Sequence, residues 1–360
     1  MGVGATTPLD ERLDAAQRTF SRGVQEMLCR LNQASPSFVE TAQLLERLAS
    51  LSISGETARQ LIEEEGRQAA SAVRRGRLDF GWTAEDCRTA EGTTRVYLGC
   101  DGVKVPLVTD AEKRKRRATI KEQRRRCGRK RRPLPALKPG ADQAFKEFRV
   151  VAGYDQSQRR RAVAVTAGDC QATGRLLRTT ALRLKIAAAD ESIANVDGAS
   201  WIRSQLELHQ PVARIGLDYY HLQDYVQKTR REVYGEASAA GGAWVDELMT
   251  LFLEQGVDAA LEWIIAWRKD LRGRKRQAAD RLLGYVAERR GMINYREFRA
   301  KGWQIGSGPV EAQCKTTTLR LKGRGRRWDG DHAEGLMALA AIQASRLWDQ
   351  WWATPDAPAA

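Results

Sequence analysis

Residues 192–218 read SIANVDGASWIRSQLELHQPVARIGLD, and this stretch decides the fold. Two short apolar runs within it each stop at an aspartate, Asp197 and Asp218. Between them, residues 199–208 have helical composition, so the stretch predicts a parallel strand-helix-strand unit. In open α/β sheets, ligands bind in the crevice outside the carboxyl ends of the strands. Both aspartates are therefore expected to face such a crevice.

The region before this unit predicts an antiparallel meander of three strands. Residues 95–108 have strand composition on both sides of the dipeptide Asp101-Gly102, which predicts a hairpin, and Pro106 indicates a strand end. The other two strands are expected at 148–154 and 161–166. Together with the parallel unit they predict an α/β protein with a mixed sheet.

Helical patterns occupy both ends of the chain and the region after the sheet. Near the start, a helix over 37–49 precedes a second one that Ser54 can cap, which is the outline of a helix-turn-helix. Two packed helices of any bundle give the same pattern, so DNA reading and plain packing both remain open. Residues 219–298 are also helical in pattern. A glycine-rich turn at 302–309 then opens a helix that carries Glu311.

We divide the chain into four regions on these patterns. They are 1–90, a helical DNA-binding region; 91–218, the core, with a basic arm at 111–140; 219–300, a helical insertion; and 301–360, the end of the core, with the Glu311 helix and a final helix over about 331–348.

Composition favours a nucleic acid as the partner. The 360 residues are 42% hydrophobic, and 60 Lys and Arg stand against 45 Asp and Glu, for a net charge of +15. A basic protein binds an anionic polymer because each neutralised phosphate releases counterions. The six cysteines are scattered without metal-ligand spacing, and the sequence has neither an 18-residue apolar run nor a secretory leader. We therefore expect a cytoplasmic protein that does not bind membranes.

Two stretches concentrate the positive charge. The first, 113–132, indicates a mobile arm, and the second, 315–327, follows directly on Glu311. A solvated surface is the usual meaning of a charge run, but the density of one sign favours phosphate contact here. The residues expected to bind DNA are Arg124, Arg125, Arg126, Arg129, Lys130, Arg131, Lys315, Arg320, Lys322, Arg324, Arg326 and Arg327. Trp303 and Trp328 are expected to pack rather than to stack on bases.

Three carboxylates have the order and setting that phosphodiester chemistry requires. Two Mg²⁺ or Mn²⁺ ions about 4 Å apart activate the attacking oxygen and stabilise the leaving one, and such hard cations prefer carboxylate ligands. Asp101, Asp197 and Glu311 are the candidates for both catalysis and metal binding. Each also has an ordinary explanation: Asp101 in a turn, Asp197 as a cap, and Glu311 reaching back to free amides of its helix.

The sequence resembles the insertion-sequence transposases of the ISKra type, which belong to the acidic-triad, ribonuclease-H-like transposases. The stretches that carry the resemblance are 26–33, 97–108, 196–202, 216–222, 302–311 and 319–329. In that family the first Asp stands in Asp-Gly, the second in Asp-Gly-x-x-Trp-Ile, and the Glu after Ile-Gly-Ser-Gly-Pro. These match Asp101, Asp197 and Glu311. The family's Asp-x-x-His pair matches Asp218 and His221.

The resemblance implies a ribonuclease-H-like core interrupted by a helical insertion, two Mg²⁺ or Mn²⁺ ions, and cleavage and transfer of DNA strands at transposon ends. DNA would be the partner, both as transposon ends and as target, with a homo-oligomer pairing two ends. Asp218 would support the site from behind or compete with Asp197 for metal, and His221 would orient phosphate or water or simply be packed. A catalytically inactive DNA-binding regulator and a structure-selective nuclease are the alternative functions.

Overall fold

The computed structural model describes residues 19–128 and 133–353. Its strands are β1 (Arg95–Pro106), β2 (Phe145–Asp155), β3 (Arg161–Thr166), β4 (Glu191–Val196) and β5 (Arg214–Leu217). The helices before and among the strands are α1 (Arg22–Ala34), α2 (Phe38–Ala49), α3 (Gly55–Arg74), α4 (Asp110–Arg126), α5 (Cys170–Arg183) and α6 (Ser200–His209). The later helices are α7 (Tyr219–Tyr234), α8 (Ala239–Glu254), α9 (Val257–Arg268), α10 (Gly273–Glu288), α11 (Tyr295–Ala300), α12 (Gly308–Thr318), α13 (Gly330–Ala344) and α14 (Trp348–Ala353).

The five strands form one mixed sheet in the order β3-β2-β1-β4-β5. β1, β2 and β3 pair antiparallel, whereas β1, β4 and β5 are parallel neighbours. The predicted meander and the predicted strand-helix-strand unit, with α6 as its crossover helix, are both confirmed. The chain is therefore a mixed α/β protein, and this sheet is consistent with the ribonuclease-H-like core that the resemblance implies.

β1 differs from its prediction, because it is one continuous strand rather than a hairpin. It pairs with β2 from Val96 opposite Asp155 to Pro106 opposite Phe145, and Asp101 lies opposite Val150 within that ladder. A two-residue hairpin turn at Asp-Gly requires positive φ angles. Gly102 is not among the described residues that have a positive φ. The hairpin prediction is wrong, while the strand end at Pro106 is confirmed.

The first described helices pack on the core through α3. Ser37 caps α2 and Ser54 caps α3, as the sequence predicts for the second helix. α3 crosses α13 so closely that a Cβ on Gly66 would lie 2.9 Å from the backbone of Gly335. Eight of the 20 residues of α3 are buried. Plain packing thus accounts for this helix pair, and DNA reading by it stays a prediction.

The basic segment after β1 is a helix, where a mobile arm was expected. Thr109 and Glu112 form a capping box that begins α4, and none of its 17 residues is buried. The chain returns alongside it, since Arg117 donates to the carbonyl of Pro135 at 2.6 Å and Lys113 to that of Pro139 at 2.9 Å. The described part of the predicted arm is therefore a regular helix, and its mobility stays a prediction.

Residues 219–300 are almost entirely helical, as predicted, and comprise α7 to α11 with one short 3-10 turn. Trp244 and Phe252 are buried there, and the rings of Trp263 and Trp267 pack at a tilt against Trp244. The final helix of the prediction is two helices, α13 and α14, separated at Arg346, whose φ of 59° breaks the helix. Within the described ranges, no helix has the length and apolarity needed to span a membrane.

Candidate active site

Three aspartates lie at the same level along the parallel strands β1, β4 and β5. The pairs nearest to them are Tyr97 with Ile193, and Val196 with Leu217. Asp101 follows Tyr97 by four residues on β1, and Asp197 follows Ile193 by the same number on the neighbouring chain segment. Asp197 and Asp218 each come one residue after the paired Val196 and Leu217. Neighbouring strands in a sheet are about 4.8 Å apart. The registers alone therefore place the three aspartates side by side on neighbouring strands, at the level where β4 and β5 end.

Asp101 lies on the face of β1 that α12 covers. Alternate residues of a strand share a face, and Gly99 on this face is so close to α12 that a Cβ there would lie 3.0 Å from Cγ2 of Val310. One turn later, the thiol of Cys314 donates to Oδ2 of Asp101 at 3.7 Å. The other oxygen accepts from the backbone amide of Gly102 at 2.6 Å. Asp101 thus contacts the helix that carries Glu311.

Asp197 is held at a sharp turn between β4 and α6. Its Oδ1 accepts from the amide of Ala199 at 2.8 Å. Gly198 has a φ of 82°, a left-handed conformation that favours glycine. The Arg289 guanidinium donates to the carbonyl of Gly198 at 3.3 and 3.0 Å, which anchors this turn to the end of α10. The turn therefore fixes the carboxyl at the carboxyl end of β4.

Glu311 projects from the first turn of α12, which Ser307 precedes and Pro309 helps to begin. The Ser307 hydroxyl donates to Oε1 of Glu311 at 2.9 Å. Nε2 of His221 lies 3.6 Å from the same oxygen, so the structure brings the predicted auxiliary histidine to the predicted catalytic glutamate. The side chain of Glu311 is half exposed. It is thus accessible to a ligand from solvent.

Asp218 has a different environment from the other carboxylates, because it is completely buried. One oxygen accepts from the backbone amide of His221 at 2.9 Å, as an N-cap of α7. The other accepts from the backbone amide of Ser307 in a short hydrogen bond. Both oxygens hold backbone groups, so Asp218 supports His221 and the start of α12 instead of facing the crevice.

The turn before α12 is anchored to the sheet by residues that the sequence analysis did not single out. The amide of Gln304 donates to the hydroxyl of Tyr97 at 3.0 Å, and Asn195 Nδ2 donates to the carbonyl of Gln304 at 2.7 Å. Arg95 donates to the carbonyls of Lys301 and Gly302 at 2.9 and 3.2 Å. These bonds connect β1 and β4 to the glutamate helix. Asn195 is two residues before Asp197, so the two side chains are expected on the same face of the sheet. This spacing is the sequence feature that could have indicated a role for Asn195.

The three candidate catalytic carboxylates interact electrostatically. Burial raises the pKa of Asp101, and the negative charges of Asp197 and Glu311 raise it further. A bound cation would relieve this repulsion, and the oxygen ligands suit Mg²⁺ or Mn²⁺. Among residues 19–128 and 133–353, however, no three Asp, Glu, His or Cys side chains stand so that they could hold one ion. The donor atoms are of the type that a hard cation prefers, while Glu311 is bonded to Ser307.

The basic residues predicted to bind DNA fall into three groups. Lys315 lies one turn beyond Glu311 on α12 and is exposed, as are Lys322, Arg324 and Arg327 in the following loop. Arg326 is partly exposed and donates to the carbonyl of Arg320 at 2.8 Å. Arg124, Arg125 and Arg126 form the last turn of α4. Arg129, Lys130 and Arg131 lie outside the described residues.

Arg320 is the exception, because the structure places it in the core. It is 5% exposed, and its guanidinium lies over the rings of Phe38 and Trp328, at 5.2 and 5.0 Å from their centroids. Burial lowers the pKa of Arg320 to about 10. This side chain joins α2 to the loop after α12 and is not available for phosphate contact, which corrects the prediction.

The basic loop after α12 and the basic helix α4 are connected. Arg327 pairs with Glu112 at 3.2 Å, and Lys113 pairs with Asp329 at 2.6 Å. The amide of Trp328 donates to the carbonyl of Pro106, where β1 ends, at 3.2 Å. Positive charge therefore continues from Lys315 past the end of β1 onto α4.

Comparisons with known proteins leave the family open. No protein-family model matches the chain, and no curated protein matches it. A search of solved structures finds the Drosophila P element transposase strand transfer complex, with a TM-score of 0.32 and 10% sequence identity over 95% of this chain and 83% of that one. A similarity this distant does not establish a shared fold or activity.

Proposed function

We propose that this chain is a DNA transposase of the acidic-triad type, which cuts DNA strands at insertion-sequence ends and transfers them to a target. The observation that supports the proposal is the electrostatic coupling of Asp101 to Asp197 and Glu311. They come from β1, the end of β4 and the start of α12, and the latter two raise the pKa of Asp101. Carboxylates that repel one another at a sheet edge are expected where cations bind.

The proposed roles follow from what each side chain contacts. Asp101, Asp197 and Glu311 would hold two Mg²⁺ or Mn²⁺ ions, and such ions would supply activation of the attacking oxygen and stabilisation of the leaving oxygen of a phosphodiester. Asp218 positions Ser307 and His221 through their backbone amides. Ser307 and His221 in turn orient the Glu311 carboxylate.

DNA phosphates would be held by the basic surface beside this edge. Lys315 stands one turn from Glu311, and the exposed arginines of the following loop lead from there to α4. Contacts to phosphate fix the position of a duplex without reading its sequence. The surface can therefore present many sequences to the same carboxylates, and pairing of two transposon ends would require at least two copies of the chain.

The test uses the DNA that flanks the coding region, because terminal inverted repeats there would supply the substrate. Asp101→Asn, Asp197→Asn and Glu311→Gln preserve side-chain size and remove one charge each. We expect each of them to abolish strand cleavage in Mg²⁺ or Mn²⁺ while binding of the end DNA survives. Asp270→Asn, at an exposed aspartate after α9, is the control and should cleave normally.

Three results would count against parts of the proposal. Retained cleavage in any of the three variants would remove that residue from the active site. Hydrolysis without joining to target DNA, and without preference for the inverted repeats, would favour a structure-selective nuclease. End binding with no cleavage by the unaltered chain in either cation would favour an inactive DNA-binding regulator.

A further inference from the structure

Two aromatic side chains in the described part of the chain are exposed, Tyr220 at 65% and Phe145 at 53%. The two tryptophans that flank the glutamate helix are buried, Trp303 at 7% exposure and Trp328 at 8%, so neither presents a ring face to a ligand. An exposed aromatic ring carries no general significance, since folded proteins expose much apolar surface. Its location decides whether it has a use.

Tyr220 stands directly beside the candidate active site. It is the second residue of α7, between the buried Asp218 cap and His221, whose Nε2 is 3.6 Å from Oε1 of Glu311. Its ring borders the turn that precedes α12, because a Cβ on Gly306 would lie 3.4 Å from Cε2 of Tyr220. The ring therefore lies beside the turn that leads into the helix carrying Glu311.

The ring is also held in place from behind. Tyr219 packs against it edge to face, with centroids 5.5 Å apart and an interplanar angle of 82°. Tyr219 makes the same kind of contact with Tyr295, at 5.5 Å and 78°, and Tyr295 is completely buried. Edge-to-face pairs are the favoured geometry of aromatic contacts. Tyr220 is the exposed end of a row of three rings anchored in the core, so little mobility is lost when a ligand covers it.

We infer that Tyr220 stacks on an unpaired nucleobase next to the phosphate that is cut. This inference rests on the proposed function, since it assumes that a DNA strand enters the crevice. Every base has a π-face, so stacking on an aromatic ring tolerates any sequence and suits a protein whose other contacts are to phosphate. A base leaving its duplex near the carboxylates would meet the exposed face of this ring.

The test measures affinity, without divalent cations, for a duplex with a short unpaired run at its end. Abasic sites are introduced one at a time across that run. The unaltered chain should bind about 5 to 150 times more weakly when the stacked base is missing. Tyr220→Ala should bind the intact DNA more weakly by a similar factor and show no further loss at the abasic position. Tyr220→Phe should behave as the unaltered chain, and Tyr220→Leu should behave as Tyr220→Ala.

Phe145→Ala is the matched control, because it removes the other exposed ring of the described residues, which lies at the start of β2, opposite Pro106, away from the carboxylates. It should retain the full abasic penalty. The inference is overturned if no position in the run shows a penalty that depends on Tyr220, or if Phe145→Ala removes the penalty equally. Circular dichroism checks that each variant is folded.

The two proposals can fail separately. A Tyr220-dependent penalty in a chain that never cuts DNA would remove the enzymatic function and leave the stacking site. Cleavage that depends on the three carboxylates, with no such penalty, would leave the enzyme and remove the stacking role of Tyr220.

Discussion

Replacement of Asp218 by asparagine separates a supporting role from metal binding. Asp218 is fully buried, and each of its oxygens accepts one backbone hydrogen bond, from His221 and from Ser307. Asparagine keeps one acceptor, and its NH₂ group would face the Ser307 amide, donor against donor. The helix cap survives this change, since asparagine is a good N-cap. The bond to the start of α12 does not.

The size of the effect follows from this loss. A hydrogen bond to a charged group contributes about 1.5–3 kcal/mol, and an unsatisfied buried amide costs about 1–3 kcal/mol. Asparagine does not carry the buried negative charge, and the free energy gained by removing that charge offsets part of these two losses. We therefore expect Asp218→Asn to lower the free energy of unfolding by about 2–3 kcal/mol at neutral pH, and Asp218→Ala by about 1 kcal/mol more because the cap is also lost.

Urea unfolding followed by tryptophan fluorescence measures this change. Asp169 caps α5 through the amide of Ala172 at 2.8 Å in an exposed position, so Asp169→Asn is the matched control and should change stability by less than about 0.5 kcal/mol. Affinity for Mn²⁺, measured on the same samples by electron paramagnetic resonance, should fall less in Asp218→Asn than in Asp101→Asn. A normal stability of Asp218→Asn combined with complete loss of Mn²⁺ binding would refute the reasoning and make Asp218 a ligand.

Three other predictions concern the DNA surface, the helix packing and the site charge. Replacing Arg124, Arg125 and Arg126 of α4 with glutamine should weaken DNA binding. The slope of the logarithm of the binding constant against the logarithm of the salt concentration should become shallower by about 0.9 per lost phosphate contact, measured by fluorescence anisotropy. An unchanged slope would exclude α4 from the interface. Gly66→Ala should lower the free energy of unfolding by about 1–3 kcal/mol, because its Cβ would meet the α13 backbone. Gly284→Ala, whose Cβ would have nothing within 4 Å, should raise the free energy of unfolding by about 0.5–1 kcal/mol. Denaturant titration compares the two variants, and equal effects would contradict the close crossing of α3 and α13. The raised pKa of Asp101 means that the folded chain holds this proton more tightly than the unfolded chain, so ionisation destabilises the fold as pH rises. Without divalent cations, Asp101→Asn should therefore melt higher than the unaltered chain at pH 7, and this advantage should vanish below the ordinary aspartate pKa of about 3.9; a lower melting temperature at pH 7 would contradict the repulsion.

The elements that sequence predicts well are those with local signals. β3 spans Arg161–Thr166, the range that its composition predicts, and α6 lies between two strands that end at acids. Short apolar runs bounded by polar turns specify such strands without knowledge of their partners. Asp197 is placed at the end of its strand by the same signal.

The errors come from contacts between distant parts of the chain. The local pattern of Asp101-Gly102 predicts a turn, whereas the strand that pairs with it, β2, begins more than forty residues later. Arg320 has the composition of a phosphate-binding residue, and only its packing on Phe38 places it in the core. The Asp218 contact with Ser307 spans 89 positions, so no local pattern could predict which of the acids supports the site.

The helix α4 shows a different limit. A run of like charges is usually interpreted as a solvated segment, because its residues repel one another and bury nothing. Here the capping box of Thr109 and Glu112 begins a regular helix, and the returning chain contacts Arg117. The residues of the capping box are present in the sequence, but the high density of positive charge in the same segment favours a loop over a helix in the sequence-based prediction.

Metal-directed cleavage of the polypeptide tests the central claim most directly. Fe²⁺ bound in place of Mg²⁺, with ascorbate and peroxide, generates radicals that cut the backbone beside the ion. We expect cuts near residues 101, 197 and 311 together, all suppressed by excess Mg²⁺ and all lost in Asp101→Asn. Cuts at only one of these three places, or at unrelated positions, would show that the three carboxylates do not bind a common pair of ions.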